Sequence, residues 1–208
     1  MLLRRRILEG VVAVAVGSGL SRFAAAMLAA TPPQTAGPFY PLELPADSDN
    51  DLIHVTGRDG TAKGTVTHIS GRILDRDGHP ISGARVEIWQ CDANGRYHYV
   101  RDTRAGPPAD QNFQGYGQAL SDATGGYQFL TIRPVAYPGR TPHIHFAVSA
   151  PDAPRFITQM YVAGEPQNDR DGVLNGLRDP SARARLIVPL RPASEPNALV
   201  GAFDIVLG

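Results

Sequence analysis

The sequence predicts an all-β fold, an antiparallel β-sandwich or partly open barrel with an extended N-terminal arm and large loops. The 22 glycines and 18 prolines of the 208-residue chain are spread along it as turn signals, which favours many short connections over a helical bundle. Short apolar or alternating segments recur between these turns, and neither a long helical period nor an internal repeat is present. A hydrophobic fraction of 42% against 19% charged residues is enough for a packed core.

Eight segments are predicted to be strands, most of them bounded by turn signals. The clearest is residues 66–75, which alternate and end at the turn dipeptide Asp77-Gly78. The others are 84–91, 118–120, 127–132, 143–149, 156–162, 186–190 and 199–207. Residues 31–65 are expected to wrap the sheet as an extended arm, and short helix is expected within 169–185.

Composition excludes several classes of function. Twenty basic and twenty acidic residues cancel, and the basic run lies at the N-terminus, so nucleic-acid binding has no electrostatic basis. The single cysteine, Cys91, excludes an internal disulfide framework and a cysteine-rich zinc or iron–sulfur site.

Residues 1–30 are predicted to be an export signal. Arg4-Arg5-Arg6 forms a positive n-region, residues 10–20 are apolar and small, and Ala24-Ala25-Ala26 offers an A-x-A cleavage site. The arginines followed by Ile7-Leu8 loosely match a twin-arginine signal, which directs proteins for export. The apolar run is far shorter than the roughly 20 residues of a membrane span, so we expect a periplasmic or secreted protein without stable membrane insertion. Residues 31–208 then form one catalytic β domain of ordinary size.

His143-Ile144-His145 is the first chemical signal in the chain. On a strand, residues i and i+2 leave the same face, so both imidazoles can reach one metal ion. No glutamate follows soon after His145 as in a cupin-type site, and none of the six histidines has an acidic residue two positions on, as an iron(II) facial triad often does. A zinc or copper site would need a further ligand brought in by the fold, for which the other four histidines are candidates: His54, His68, His79 and His98.

Two tyrosines shift the expectation toward ferric iron. Tyr137 lies six residues before His143, and Tyr97 ends the turn Asn94-Gly95-Arg96 after the predicted strand 84–91. A phenolate is a hard, anionic oxygen donor that suits Fe(III) better than the softer divalent metals, and a bound cation should remove its proton. Two phenolates and two neutral imidazoles offset two of the ion's three positive charges.

The chain resembles the intradiol ring-cleavage dioxygenases, in particular the iron-bearing chain of their protocatechuate 3,4-dioxygenase branch. The resemblance covers roughly residues 32–190. It rests on segments in the same order: PPQTAGPFYP (32–41), GRILDRDGHPISGARVEIWQCDANGRY (71–97), NFQGYGQALSDATGGYQFLTIRP (112–134), YPGRTPHIHF (137–146) and TQMY (158–161).

This resemblance implies a non-haem Fe(3+) centre with four protein ligands. Tyr97 and Tyr137 would be the phenolate ligands, and His143 and His145 the imidazole ligands. The implied small-molecule partners are O2 and a catechol-type substrate, and the implied assembly is with further copies of the chain or with a related partner chain.

The resemblance also implies the roles of three residues in catalysis. Tyr137 would be the axial tyrosinate that leaves when substrate arrives, Arg140 the cation beside the metal, and Gln159 a polar residue of the same pocket. The implied reaction inserts both atoms of O2 into the ring and cleaves between the two hydroxyl-bearing carbons, which gives a muconate-type diacid.

One departure from the family pattern concerns the pocket. Only Pro138 and Gly139 separate Tyr137 from Arg140, where the protocatechuate enzymes carry a longer, Trp-containing loop. Because a shorter loop leaves less wall over the iron, we expect an open pocket mouth, and the substrate preference of that branch does not transfer.

Two alternatives stay open from the residues alone. Tyr99 lies two positions past Tyr97 and would replace it as a ligand after a register shift. Segments 71–89 and 121–132 also resemble transthyretin-like or carboxypeptidase-regulatory β-sandwich modules, which bind or space and do not catalyse. Tyr40, Tyr116 and Tyr161 are candidates either to line the pocket or to pack, and Tyr116, on the polar loop 101–117, is the best pocket candidate of the three.

Overall fold

The computed structural model describes residues 27–99, 102–151 and 153–208. Most of the predicted export signal, residues 1–26, lies outside the described residues. Its last residues already contact the domain, since the Leu28 amide donates to the Arg76 carbonyl at 2.7 Å. Cleavage within 24–26 would leave this contact in place. No helix in the described part of the chain is long and apolar enough to cross a bilayer.

The strands form two five-stranded sheets that share one apolar core. The first sheet contains β1 (Val66–Leu74), β4 (Gly126–Ile132), β8 (Arg191–Pro192), β9 (Leu199–Ala202) and β10 (Ile205–Val206). The second has the order β3-β2-β5-β6-β7, and its strands are β2 (Arg85–Trp89), β3 (Tyr116–Leu120), β5 (His143–Ser149), β6 (Phe156–Val162) and β7 (Ile187–Val188). A 3₁₀ helix (Pro166–Arg170), α1 (Gly172–Asn175) and α2 (Pro180–Leu186) connect β6 to β7.

The predicted all-β sandwich is confirmed, and the described strands form no closed barrel. The pairing is mixed, however, and not purely antiparallel, because β9 and β10 both run parallel to β1 and β7 runs parallel to β6. The last predicted strand, 199–207, is two strands in the structure. Phe203 turns into the core, and the Asp204 carboxylate accepts the Arg72 amide at 2.8 Å, so a side chain occupies the ladder between β9 and β10.

Strand β5 is buried on both faces, and this places the candidate site. Its apolar side chains, Ile144, Phe146 and Val148, join the core between the two sheets. The opposite face carries His143 and His145, which are each only 1% exposed. This outer face is covered by loops and by the N-terminal arm, so the histidines lie in an interior of their own.

The arm is attached to the outer face of the second sheet by hydrogen bonds to β6. The Gln34 amide donates to the Ile157 carbonyl at 2.8 Å, and the Thr158 hydroxyl donates to the Pro32 carbonyl at 2.8 Å. Gly37 passes directly over the site: its φ is +65°, and a Cβ there would lie 3.4 Å from Cε1 of His145. The predicted extended arm therefore forms one wall of the site.

A buried carboxylate on β2 holds the next part of the arm. Glu87 is 1% exposed, and its Oε1 accepts hydrogen bonds from the hydroxyls of Tyr40 and Tyr116, both at 2.7 Å. Its Oε2 accepts from Arg155 at 3.0 Å. The carboxylate joins the arm, β3 and the start of β6 at a single point.

Replacing this carboxylate should destabilise the protein measurably. In Glu87→Ala, Arg155 and the two hydroxyls lose their acceptor, and we expect the free energy of unfolding to fall by about 3 kcal/mol. Urea titration followed by tryptophan fluorescence measures this. Glu43→Ala, which removes an exposed carboxylate of the same arm, is the control and should leave the urea midpoint unchanged. Equal midpoints for the two variants would contradict the anchoring role.

Candidate metal centre

The two histidines of β5 leave the same face, as their spacing predicts. Their ring centroids are 4.9 Å apart. In the register of the sheet, His145 lies between Trp89 on β2 and Gln159 on β6, and His143 lies opposite Tyr161. The Nδ1 atom of His143 is 2.6 Å from the Thr141 carbonyl, which fixes this ring and directs its Nε2 away from the backbone.

Two turns bring the tyrosines to the histidines. Tyr137 begins a turn closed by the Arg140 amide, which donates to the Tyr137 carbonyl at 2.9 Å, and its ring centroid is 5.5 Å from that of His143. Tyr97 follows the turn in which the Gly95 amide donates to Asp92. The Tyr97 ring centroid is 5.9 Å from Tyr137 and 6.4 Å from His145.

The geometry favours Tyr97 over Tyr99 as the neighbour of these rings. Tyr97 is buried and contacts both Tyr137 and His145. Tyr99 is only half-buried, and its ring pairs with His98, with centroids 6.2 Å apart. A register shift is therefore not needed to bring a second tyrosine to the cluster.

The donor atoms of the cluster lack protein partners. Among the described residues, five buried side-chain polar atoms make no hydrogen bond, and three of them belong to this cluster: the Tyr97 hydroxyl, Nε2 of His143 and Nδ1 of His145. A buried polar atom without a partner costs about 1–3 kcal/mol, so such a group of orphaned donors indicates a missing ligand. Two phenol oxygens and two imidazole nitrogens are the donor set that suits ferric iron. The residues therefore fit this ion.

Burial shifts the pKa values of the cluster toward neutral side chains. It lowers the pKa of His143 to about 4, and the charge of Arg140 acts in the same direction. Burial likewise lowers the pKa of His145 well below its usual value and raises that of Tyr97 well above. Burial also raises the pKa of Tyr137, although Arg140 opposes this. The imidazoles are thus neutral at pH 7, whereas the phenols need a nearby cation to ionise.

Arg140 and Gln159 lie together beside the cluster. Nη2 of Arg140 donates to Oε1 of Gln159 at 2.6 Å, and Nε2 of Gln159 donates to the Thr35 carbonyl of the arm at 2.8 Å. The Tyr161 hydroxyl is 3.4 Å from Nη2 of Arg140. Strand β6 and the arm therefore hold the guanidinium in place from one side.

Asp171 holds Arg140 from the other side, and the sequence analysis missed it. Its Oδ2 accepts from Nε of Arg140 at 2.8 Å and from the Thr141 amide at 3.0 Å. Its Oδ1 caps α1 by accepting from the amides of Val173 and Leu174, both at 3.0 Å. Although burial opposes ionisation, the hydrogen bonds from Leu174, Thr141 and Arg140 lower the pKa of Asp171. The only sequence signal is an aspartate before a short helix, which does not reveal its second role.

Two aromatic walls of the cluster were also missed. Phe39 of the arm stacks on Tyr97 with ring centroids 4.5 Å apart, and Trp89 stacks on His145 at 4.8 Å.

A cation covers the ring of Tyr137. The Arg104 guanidinium lies 4.5 Å from the centre of the Tyr137 ring and pairs with Asp102. These contacts fix the ring planes and limit the access of water to the cluster.

Tyr116 does not line the pocket, contrary to expectation. It lies on β3 and not on a loop, it is fully buried, and its hydroxyl donates to Glu87. The polar loop that precedes it ends before this residue, so the ring packs beneath the arm.

The histidines outside β5 are each paired with a carboxylate. The pairs are His54–Asp51, His68–Glu195, His79–Asp75 and His98–Asp92. In the described part of the chain, Asp75, Asp77 and His79 are the one group of at least three histidine, cysteine or carboxylate side chains close enough to share an ion. This group lies in the turn after β1, where the Asp75 carboxylate already accepts the amides of Asp77 and His79. The candidate third ligands of a zinc or copper site are thus committed elsewhere.

A cavity of about 430 Å³ opens beside Tyr137 and Arg140. It is lined by residues 136–141 together with Gln167, Arg170 and Asp171. Its volume lies within the range of about 300–1,000 Å³ that is common for small-molecule sites. The short Pro138–Gly139 link forms part of its wall.

Comparison with known proteins gives concordant results. A family described as Dioxygenase matches residues 35–208. The protocatechuate 3,4-dioxygenase beta chain of Burkholderia cepacia is 39% identical over 180 residues, which is 82% of this chain and 76% of the relative. Hydroxyquinol 1,2-dioxygenase of Corynebacterium glutamicum is 30% identical over 162 residues, which is 69% of this chain but only 50% of that relative.

Solved structures agree with this. The dioxygenase domain of a dioxygenase–carbohydrate-binding protein fusion from Streptomyces sp. SirexAA-E superimposes with a TM-score of 0.67 at 30% identity. The match covers 86% of this chain and 98% of that domain.

The double role of Asp171 predicts an unusually large effect for a helix cap. In Asp171→Ala, the half-buried Arg140 loses its carboxylate partner and α1 loses its cap, and we expect the free energy of unfolding to fall by about 3 kcal/mol. Asp179→Ala is the matched control, because Asp179 caps α2 through the Ser181 amide but pairs with no buried arginine. Chemical denaturation of both variants measures the difference. A loss no larger than that of the control would contradict the coupling to Arg140.

Proposed function

This chain belongs to the intradiol ring-cleavage dioxygenase family, and we propose on that premise that it cleaves a catechol-type ring with O2 to a muconate-type diacid. The observation that carries the proposal is the meeting of Tyr97, Tyr137, His143 and His145, three of which hold a buried polar atom without a protein partner and one of which, Tyr137, lines a cavity. The family relationship favours an enzyme over the alternative of a non-catalytic β-sandwich module.

We further propose that the resident cofactor is Fe(III), held by these four side chains. The orphaned hydroxyl and imidazole nitrogens supply the donors, and the lowered pKa values of the histidines keep their lone pairs free at pH 7. When bound, ferric iron acts as a Lewis acid and template that activates the catechol for attack by O2.

Tyr137 differs from the other proposed ligands in its access to substrate. It is half-buried and lines the cavity, whereas Tyr97, His143 and His145 are almost fully covered. A catechol entering the cavity therefore meets Tyr137 first. Held by the metal, Tyr137 would be a phenolate, and we assign to its oxygen the uptake of one substrate proton, which converts it to a neutral phenol that no longer serves as a ligand. The Arg104 guanidinium against its ring limits how far the side chain moves.

Arg140 and Gln159 have the geometry of electrostatic stabilisers. Arg140 lines the cavity wall beside Tyr137, and its orientation is set before substrate binds by Asp171 and Gln159. A fixed cation at this place stabilises negative charge that develops on the ring carbon attacked by O2, at little cost in reorganisation. Gln159 acts through the position of Arg140 and through its bond to the arm.

We also propose that the chain is exported to the periplasm or secreted, on the evidence of its arginine-rich, apolar N-terminus. Assembly with a second copy or with a related partner chain is a further proposal that rests on the family alone.

The ligand assignment predicts a contrast between two neighbouring tyrosines. Tyr97→Phe should lower the iron content and weaken or shift the visible tyrosinate-to-iron absorption, because one phenol oxygen is removed from the centre. Tyr99→Phe, the matched control two positions on, should retain both. Metal analysis and visible spectroscopy of the purified variants measure this.

The opposite pattern, with full colour in Tyr97→Phe and loss in Tyr99→Phe, would transfer the ligand role to Tyr99. Wild-type protein that neither binds iron nor becomes coloured when supplied with it would exclude the proposed cofactor.

The short wall over the cavity predicts a tolerant substrate range. We expect the iron-loaded protein to accept catechols with substituents larger than a carboxylate, or to show no strong preference for protocatechuate, because only Pro138 and Gly139 close this side. O2 uptake with catechol, protocatechuate, hydroxyquinol and bulkier catechols measures it. A kcat/KM for protocatechuate about 100-fold above all others, roughly 3 kcal/mol of transition-state binding, would contradict the open pocket.

A further inference from the structure

The cavity beside the candidate centre is lined by three charged side chains: Arg140, Arg170 and Asp171. Two of them neutralise each other. Asp171 accepts Nε of Arg140 at 2.8 Å, and its remaining acceptor positions are taken by three backbone amides. The lining therefore keeps one positive charge that its own residues do not balance.

That charge belongs to Arg170. Within the described ranges, its guanidinium makes no hydrogen bond and no salt bridge, and the residue is exposed. The other arginines near the centre are committed, since Arg133 pairs with Glu165 and Arg104 with Asp102. Neither Arg133 nor Arg104 is therefore free to bind an anionic group of a substrate.

The backbone fixes where Arg170 stands. It is the last residue of the 3₁₀ helix Pro166–Arg170, and the amide of the next residue, Asp171, donates to the Gln167 carbonyl at 3.0 Å. Asp171 is buried at the inner side of the cavity, Arg140 is half-buried, and Arg170 and Gln167 are exposed. The unbalanced charge thus lies at the rim, on the solvent side of Arg140.

We propose that Arg170 is a specificity-determining residue that binds an anionic substituent of the substrate, and that the preferred substrates are catechols with a carboxylate at the end of a short side chain. A guanidinium presents paired donors that match the two oxygens of a carboxylate. Because Arg170 is at the rim, a carboxylate at the end of a short side chain reaches it better than a carboxylate attached directly to the ring. This proposal rests on the proposed ring-cleaving function and names its substrate class.

The decisive test compares an acid with its neutral counterpart. Dihydrocaffeate and its amide share the catechol ring and side chain and differ in charge. In iron-loaded wild-type protein, we expect kcat/KM to favour the acid, and the ratio of acid to amide to fall about fivefold in Arg170→Gln, as for an exposed ion pair. Arg170→Lys, which keeps the charge but not the paired donors, should keep only part of the ratio. Arg178→Gln, which removes an exposed arginine outside the cavity lining, should leave it unchanged.

Three further readouts separate recognition from a general effect. Calorimetry without O2 should show that Arg170→Gln raises the dissociation constant of the acid and leaves that of the amide unchanged. Raising ionic strength should reduce the acid-to-amide ratio in wild type but not in Arg170→Gln, because an exposed pair is screened by salt. Protocatechuate against its amide should respond less to Arg170→Gln than dihydrocaffeate does.

The outcomes distinguish the two proposals. If wild-type protein cleaves both compounds but Arg170→Gln leaves their ratio unchanged, or lowers both equally, the role of Arg170 is wrong and the ring-cleaving function stands. If protocatechuate responds as strongly as dihydrocaffeate, the side-chain requirement is wrong. If the iron-loaded wild-type protein cleaves no catechol, the proposed function fails and the substrate class fails with it.

Discussion

Strand β5 is buried on both faces although only one of them is apolar, and the architecture around the site follows from this constraint. The inner face meets the core through Ile144, Phe146 and Val148. The outer face carries two imidazoles that water does not reach, and burial keeps them neutral. Three polar atoms of the cluster are left without protein partners, at a cost of about 1–3 kcal/mol each, which an ion bound between them would offset.

Segments from distant parts of the sequence cover that outer face. The arm lies across β6, with Gly37 against His145 and Phe39 against Tyr97. Glu87 anchors the arm further along the same face, through a second set of buried polar contacts. The hydrogen bonds of the arm and of Glu87 satisfy buried polar groups, and the covering arm excludes water. The same contacts therefore stabilise the fold and strengthen electrostatic interactions in the site.

The cation beside the site is held by side chains on two separate elements, and one of these side chains is itself bonded to the arm. Asp171 lies after the 3₁₀ helix, Gln159 on β6, and the carbonyl that Gln159 contacts on the arm. Because these groups are connected before any substrate arrives, Arg140 does not need to reorganise during the reaction. The same geometry neutralises Arg140 within the cavity lining and leaves Arg170 at the rim without a charged partner among the described residues.

Local patterns in the sequence determined the strands, the turns and the common face of His143 and His145, because strand periodicity and turn chemistry depend on residues close in the chain. The chemistry of phenolate donors pointed to Tyr97 and Tyr137, and the resemblance of ordered motifs gave their proposed roles and those of Arg140 and Gln159. The motif Asn94-Gly95-Arg96-Tyr97 favoured Tyr97, and Tyr99, two positions on, stayed an alternative that a register shift would select.

Only the tertiary structure decided which long-range partners meet. The parallel return of β9 and β10 along β1, the stacking of Phe39 on Tyr97 and the pairing of Arg140 with Asp171 join residues about 30 to 130 positions apart. The burial of Tyr116 under the arm, against the expectation that it lines the pocket, has the same origin. Such contacts depend on how the arm and the loops pack over the second sheet, and no local pattern records that packing.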